Sequence, residues 1–247
     1  TRKIRMKKNK QENGCRELTL RQTAKYLQKH DNYIILTHAS PDGDTLGSAF
    51  ALYYALKEIG KAACVICPDV IPEKYNYFAR QTDHVSRDDA TVVAVDVADK
   101  RLLGGLEEEF GDIVDLNIDH HISNVRFAKN LFLDADAAAT AESMYELLGI
   151  MKVNINDVTA KALYTGIATD TGCFKYSNVT AKTHMIVAQL YEYNIDAPEI
   201  NRIMFDTKSR KLLELERMVL DASEFHFGGK CIILPVTAEM QEKTGCS

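Results

Sequence analysis

Residues 33–48 read YIILTHASPDGDTLGS, a strand pattern followed by a polar loop and the start of a helix pattern. Its first part, residues 33–37, is an apolar run typical of a buried strand. A polar loop with Pro41 and Gly43 follows, and residues 46–59 then show helical periodicity up to a stop at Gly60. The proline restricts the turn, and the glycine lets Asp42 and Asp44 be presented from a tight loop at the start of the helix.

The same alternation of strand and helix continues along the chain. Strand patterns cover residues 61–67, 91–97, 113–118 and 131–133, and helical patterns cover 73–80, 100–106, 140–151, 156–169 and 181–193. The strands are continuously apolar, as expected for a sheet that is buried on both faces. We therefore predict an α/β fold with a parallel sheet and helices on both faces.

Acidic and histidine side chains follow several of these strands. In open parallel sheets the carboxyl ends of the strands meet at one edge, where ligands bind. Gathered carboxylates repel one another unless a cation lies between them, and a mixture of carboxylate and imidazole favours divalent ions such as manganese, iron or zinc. The residues concerned are His38, Asp42, Asp44, Asp96, Asp119, His120, His121 and, at the end of a predicted helix, Asp170.

Each of these residues also has an ordinary structural explanation. Asp44 would serve as a helix cap and Asp96 as a turn residue at a strand end. His120 and His121 would be core or surface histidines. The occurrence of all of them at successive strand ends favours a site for two metal ions about 3.5–4 Å apart.

Charge is distributed unevenly over the 247 residues. Residues 1–10 contain six of the 30 basic residues and no acidic residue, so the other 237 carry 24 basic and 35 acidic side chains. An acidic body argues against binding of long duplex nucleic acid, which requires a basic face. We interpret residues 1–19 as a basic tail, and its strongly basic first ten residues as a solvated segment rather than a nucleic-acid-binding arm. With no secretory signal and no span of about 20 apolar residues, we expect a cytoplasmic protein without membrane contact.

Four motifs together resemble those of the DHH phosphoesterase family. They are THASPDGDTLGS (37–48), VAVD (93–96), DHHISN (119–124) and GIATDTGCFKYSNVT (166–180), within a similarity over about residues 20–190. The sequence is most similar to the branch that degrades very short oligonucleotides and adenosine 3′,5′-bisphosphate (pAp), the nanoRNase/pAp phosphatase type. It is less similar to family II inorganic pyrophosphatases and to RecJ exonucleases.

The resemblance implies a role for each motif residue. One metal would be held by His38, Asp42 and Asp96, and a second by Asp44, Asp96, His120 and Asp170, with Asp96 shared. Asp119 would orient its neighbours, and His121 would face the scissile phosphate. The nucleophile would be a hydroxide activated by both metals. The family usually prefers two Mn²⁺ ions, and Mg²⁺ or Co²⁺ would be substitutes.

The C-terminal part departs from the family pattern. Residues 224–227 and 230–235 read as a hairpin turning at Gly228 and Gly229, and the GGGH motif of the family's substrate domain is absent. We therefore expect a catalytic domain over residues 20–195, a helical linker over 196–223, and the first strands of an incomplete substrate-binding domain over 224–247.

These features lead to one main functional hypothesis and two alternatives. The main hypothesis is a manganese-dependent phosphoesterase acting on very short oligonucleotides, pAp, or both. A second is hydrolysis of cyclic di-AMP or a linear dinucleotide, and a third is a non-catalytic nucleotide-binding module. The assembly is left open between a monomer and a homodimer.

Overall fold

A computed structural model describes residues 14–246 and contains a six-stranded, fully parallel sheet. The strand order across the sheet is β1-β6-β5-β4-β2-β3. This confirms the predicted α/β class. The strands are β1 (Arg16–Glu17), β2 (Tyr33–Leu36), β3 (Ala63–Ile66), β4 (Thr91–Val95), β5 (Leu116–Asp119) and β6 (Asn130–Leu133).

Helices connect the strands and continue after the last one. In this part of the chain they are α1 (Leu20–Lys29), α2 (Gly43–Glu58), α3 (Glu107–Phe110), α4 (Thr140–Met151), α5 (Asp157–Asp170), α6 (Ala181–Leu190) and α7 (Ala197–Asn201). The sheet is covered on both faces. Ile34 and Leu36 of β2 pack in one apolar cluster with Leu103 and Phe110. The Tyr33 hydroxyl donates to the carbonyl of Leu27 in α1, 2.6 Å away.

Helix α2 is buried along most of its length and packs closely against α5. A methyl group added at Gly47 would lie 2.3 Å from the carbonyl oxygen of Ala162 and 3.1 Å from the amide nitrogen of Gly166. Glycine is therefore required where the two helix backbones approach. This contact brings the start of α2 and the end of α5 together, and both carry predicted site residues.

Three local predictions need correction. Residues 73–80 form only one 3₁₀ turn, Glu73–Tyr75, and Lys100–Leu106 is 3₁₀ rather than α-helical, interrupted by Gly104 at φ +53°. Part of the predicted tail is also ordered, since β1 pairs with β6 (Arg16 opposite Asn130). The apolar side chains of Cys15 and Leu18 hold this segment because both are buried. The rest of the predicted tail, residues 1–13, lies outside the described residues.

The chain divides into two compact units, and the second begins at Arg202. It contains a π-helical turn (Arg202–Asp206), α8 (Arg210–Asp221), the strands β7 (Glu224–His226) and β8 (Cys231–Ile233), and α9 (Ala238–Thr244). The predicted hairpin forms, with Phe225 opposite Ile232. Within residues 14–246 no helix combines the length and hydropathy needed to span a bilayer.

Candidate metal centre

The sheet topology places the predicted site residues at one edge. Strands β2, β4 and β5 are adjacent and parallel, so their carboxyl ends lie side by side. The loop after β2 carries His38, Asp42 and Asp44. Asp96 follows β4 directly, and His120 follows β5. Asp170, the last residue of α5, joins them because α5 packs on α2.

Asp96 lies between two sets of these side chains. Its Oδ2 is 3.8 Å from His38 Nε2, and its Oδ1 is 3.7 Å from His120 Nε2. The residue is 2% exposed and has a left-handed backbone with φ +60°. Aspartate is one of the few residue types other than glycine that tolerates this conformation. The turn aims the carboxylate into the site, one oxygen toward each histidine.

The first set consists of His38 and Asp42 together with Asp96. His38 Nε2 is 3.7 Å from Asp42 Oδ1, and its other nitrogen, Nδ1, is 2.7 Å from the carbonyl oxygen of Ala39. A carbonyl only accepts, so Nδ1 carries the proton and the lone pair of Nε2 faces the carboxylates. Asp42 also caps α2, since its Oδ1 accepts from the amides of Asp44 and Thr45.

The second set consists of Asp44, His120 and Asp170. His120 Nε2 lies 3.9 Å from Asp44 Oδ2 and 3.3 Å from Asp170 Oδ2. Its Nδ1 is 3.1 Å from the carbonyl oxygen of Ala137, which again leaves the lone pair on Nε2. This Nε2 atom is buried and has no hydrogen-bond partner among the described residues. A buried ring nitrogen without a partner indicates that a ligand completes its environment.

Burial, and then the charges of neighbouring carboxylates, disfavours the ionised form of three carboxyl groups of the site. Burial, and next the charge of Asp42, raises the pKa of Asp96 to about 8. Burial also raises the pKa of Asp44 well above its ordinary value, with the charges of Asp96 and Asp170 adding to the effect. Burial likewise raises the pKa of Asp170. Cations would offset this effect, because a charge of opposite sign within a few ångströms favours the ionised carboxylate.

Asp119 and His121 form a separate pair at the edge of the site. His121 Nδ1 is 2.8 Å from Asp119 Oδ1, and this hydrogen bond raises the pKa of His121 to about 9. Burial raises the pKa of Asp119, but hydrogen bonds from His121 and Asn124 outweigh it, and the pKa is lowered. The Nδ1 atom of His121 is therefore engaged by Asp119, and it also lies 3.6 Å from Asp96 Oδ1.

Two contributions to the site do not appear among the predicted residues. Asn124 donates to Asp119 Oδ2 over 2.6 Å and fixes the second carboxylate oxygen. Asn178 donates to the carbonyl oxygens of both Ala138 and Asp170, at 3.0 and 3.1 Å. Both asparagines lie inside motifs that carry predicted ligands, which is the signal that would have identified them.

The donor set fits a pair of divalent cations. Three groups of side chains each offer ligand atoms within 4.8 Å of one another. Asp96 belongs to two of these groups, and so does His120. Carboxylate and imidazole donors suit Mn²⁺, Fe²⁺, Co²⁺ or Zn²⁺, and none of the three groups contains a sulfur donor. The three groups are Asp96 with His120 and His121, His38 with Asp42 and Asp96, and Asp44 with His120 and Asp170.

Several known proteins are similar to this chain in sequence, and solved structures are similar to it in fold. Residues 32–167 match the family described as "DHH family, N-terminal domain". A bifunctional oligoribonuclease and PAP phosphatase NrnA of Thermus thermophilus is 35% identical over 218 residues, 85% of this chain. The chain spans 64% of the length of that relative.

Two further matches are more distant. A probable manganese-dependent inorganic pyrophosphatase of Enterococcus faecalis is 24% identical over 81% of this chain and 68% of its own length. Among solved structures, an exopolyphosphatase-related protein from Bacteroides fragilis has the same fold. Its TM-score is 0.80, with 24% identity over 92% of this chain and 71% of that chain.

Proposed function

The chain belongs to the DHH family, and on that basis we propose that it hydrolyses phosphoesters with the help of two divalent cations. The observation that carries the proposal is the position of Asp96. Its two carboxylate oxygens face two different histidines, each accompanied by further carboxylates. A single shared carboxylate between two donor sets is the arrangement expected of a two-metal hydrolytic site.

The proposed substrates are very short oligoribonucleotides and pAp. The name of the Thermus relative describes an oligoribonuclease and PAP phosphatase, and that relative is 35% identical. Outside residues 1–10 the chain has 24 basic and 35 acidic residues, which supports a small substrate over a long duplex.

Each side chain has a defined part in the proposed reaction. His38, Asp42 and Asp96 would hold one cation, and Asp44, Asp96, His120 and Asp170 the other. The two cations would supply positive charge for the phosphoryl oxygens and lower the pKa of water toward neutrality. A bound cation would favour the ionised form of the neighbouring carboxylates.

His121 is the proposed catalytic group that faces the substrate. Its Nδ1 is fixed by Asp119 at 2.8 Å, and its side chain is 43% exposed. In the metal-free protein the hydrogen bond to Asp119 raises the pKa of the ring to about 9, and a protonated ring would donate from its other nitrogen, Nε2. Such a donor stabilises negative charge that develops on a phosphate oxygen or leaving group.

Manganese is the proposed metal, with Mg²⁺ and Co²⁺ as substitutes. The mixture of imidazole and carboxylate donors supports it. The Enterococcus relative, described as a probable manganese-dependent inorganic pyrophosphatase, supports this choice. A cytoplasmic location and a homodimer stay predictions.

A substrate panel with Mn²⁺ tests the proposal. It contains pAp, RNA of two to five nucleotides, longer RNA, cyclic di-AMP and pyrophosphate. We expect hydrolysis of pAp or the short RNA, and loss of hydrolysis in Asp96→Asn. Asp112→Asn is the matched control, because that aspartate is 88% exposed and pairs only with Lys100 among the contacts described. Preferential hydrolysis of cyclic di-AMP would contradict the proposed substrates and favour the cyclic dinucleotide alternative. Absence of hydrolysis of every phosphoester in the panel would refute the proposed activity.

A further inference from the structure

One short turn of the chain contacts three of the six proposed metal ligands without supplying a ligand itself. Residues 137–141 precede and begin α4 and read AAATA. Ala137 accepts from His120 through its carbonyl oxygen, and Ala138 accepts from Asn178, which also holds the carbonyl of Asp170. We call residues 137–141 the ligand-facing turn.

The amide groups of the ligand-facing turn hold Asp44. The Thr140 amide donates to Asp44 Oδ2 over 2.7 Å, and the Ala141 amide donates to Oδ1 over 2.9 Å. Asp44 is completely buried, and the residue at the N-cap of α4, Ala139, has no side chain for capping. The carboxylate of Asp44, from α2, therefore caps α4 in place of a local side chain, and the positive end of the α4 dipole stabilises its negative charge.

The hydroxyl group of Thr140 makes a contact of a different kind. Its Oγ1 is 2.8 Å from Asp96 Oδ1, the oxygen that faces His120, and Thr140 is completely buried. The other oxygen of Asp96, Oδ2, faces His38. A carboxylate oxygen has room for two partners, so the hydroxyl hydrogen bond and a metal are compatible at Oδ1.

We infer that Thr140 is a positioning residue that assigns the two oxygens of Asp96 to the two metal positions. The inference rests on the proposed function, because it requires that two ions share Asp96. Without the hydroxyl, the carboxylate is free to rotate about its Cβ–Cγ bond, and the division of its oxygens between His38 and His120 is lost. The same turn holds Asp44 through backbone amides, which a substitution at Thr140 leaves in place.

The test compares three variants with the wild type by Mn²⁺ binding. Thr140→Val removes the hydroxyl with little change of shape, and Thr140→Ser keeps the hydroxyl. Thr23→Val is the matched control, since Thr23 of α1 is also completely buried but its hydroxyl donates to the carbonyl of Thr19, the N-cap residue of that helix. Binding is measured by isothermal titration, and the exchange coupling of the Mn²⁺ pair by electron paramagnetic resonance.

We expect wild type, T140S and T23V to bind two Mn²⁺ per chain and to show the coupled signal. T140V should bind Mn²⁺ about 10- to 100-fold more weakly and lose the coupled signal, as changes in residues that support metal ligands commonly do. Thermal unfolding in a chelator separates this effect from a general loss of folding. If T140V does not fold, Thr140→Ala removes the same hydroxyl and is measured instead.

The outcomes separate the inference from the proposed function. Wild-type affinity and a coupled signal in T140V would overturn the inference, even if the wild type is an active phosphoesterase. Weak binding in T140S as well would also overturn it, because the hydroxyl would then not be the relevant group. If the wild type binds two coupled Mn²⁺ and T140V does not, but the wild type hydrolyses no phosphoester, the proposed hydrolysis fails while the two-metal site and the role of Thr140 stand.

Discussion

Replacing Asp96 by asparagine should stabilise the metal-free protein while it abolishes metal binding. Asn has the same shape as Asp, tolerates the left-handed backbone at φ +60°, and keeps an oxygen for the Thr140 hydroxyl. The substitution therefore replaces a buried carboxyl group, which must be protonated in the metal-free fold, by a neutral amide with little other change. It tests whether the site is electrostatically strained until cations bind.

The size of the effect follows from the pKa of Asp96, which burial and the charge of Asp42 raise from 3.8 to about 8. At pH 7 the folded, metal-free protein must take up a proton at Asp96 that the unfolded chain lacks. At about 1.4 kcal/mol per pKa unit, this lowers the free energy of unfolding by about 4 kcal/mol. The stabilisation in Asp96→Asn is smaller than this, because the NH₂ group of the buried amide lacks a hydrogen-bond acceptor. We expect a net stabilisation of about 2 kcal/mol.

The sign of the pH dependence is also defined. A carboxyl group with a raised pKa does not destabilise the protein below pH 4, where both states are protonated. Its destabilising effect grows as the pH rises from about 4 to about 8. The free energy of unfolding of metal-free wild type should therefore fall over this range relative to that of Asp96→Asn.

Urea unfolding between pH 5 and 8, with a chelator or with excess Mn²⁺, measures both effects. At 100 times its dissociation constant, Mn²⁺ should stabilise the wild type by about 2.7 kcal/mol or more and leave Asp96→Asn unchanged. Equal stability of the two metal-free proteins at pH 7, with parallel pH profiles, would refute the electrostatic reasoning. Undiminished stabilisation of the variant by Mn²⁺ would refute the shared role of Asp96.

Three further predictions concern other parts of the site. His121→Gln should keep both Mn²⁺ ions and lower turnover about 100-fold or more, whereas a lower metal content by elemental analysis would make His121 a ligand. Gly47→Ala should lose about 1–3 kcal/mol in urea unfolding, because its methyl group would meet a backbone oxygen at 2.3 Å. The control Gly149→Ala, with open space at its Cβ, should not be destabilised; similar losses in both would contradict the packing argument. Asn124→Ala should lose about 1–3 kcal/mol at neutral pH, since it leaves Asp119 Oδ2 without its donor. The loss should shrink below pH 4 as Asp119, whose pKa is lowered, becomes protonated, and a difference independent of pH would argue against this role.

The residues of the proposed centre were predictable because local sequence carries them. The strand, loop and helix of residues 33–48 place His38, Asp42 and Asp44, and the pattern 119–124 places His120 directly after a buried strand. Apolar runs define the strands, and parallel strands end at a common edge. The sequence also distinguishes the hairpin of residues 224–233 from the parallel sheet, through its two adjacent glycines.

The roles of the two aspartates near α2 were not predictable in the same way. A cap at Asp44 is one local interpretation, but Asp42 caps α2, and Asp44 instead accepts from the amides of Thr140 and Ala141. Those partners are 96 and 97 residues away in the sequence. No periodicity or motif in either segment encodes such a pairing.

The residue types of the proposed ligands and their positions at strand ends could be predicted from the sequence, because both are local properties. The contacts that hold these side chains in place depend on tertiary packing. The close approach of α2 and α5 at Gly47 brings Asp170 to the sheet edge, and the turn before α4 supplies Thr140 to Asp96. Strand β1 was not predicted from the sequence for a related reason. Its two residues, Arg16 and Glu17, form a strand because they pair with β6. In each case the stabilising partner is far away in the chain, so the contact exists only after the sheet and helices have packed.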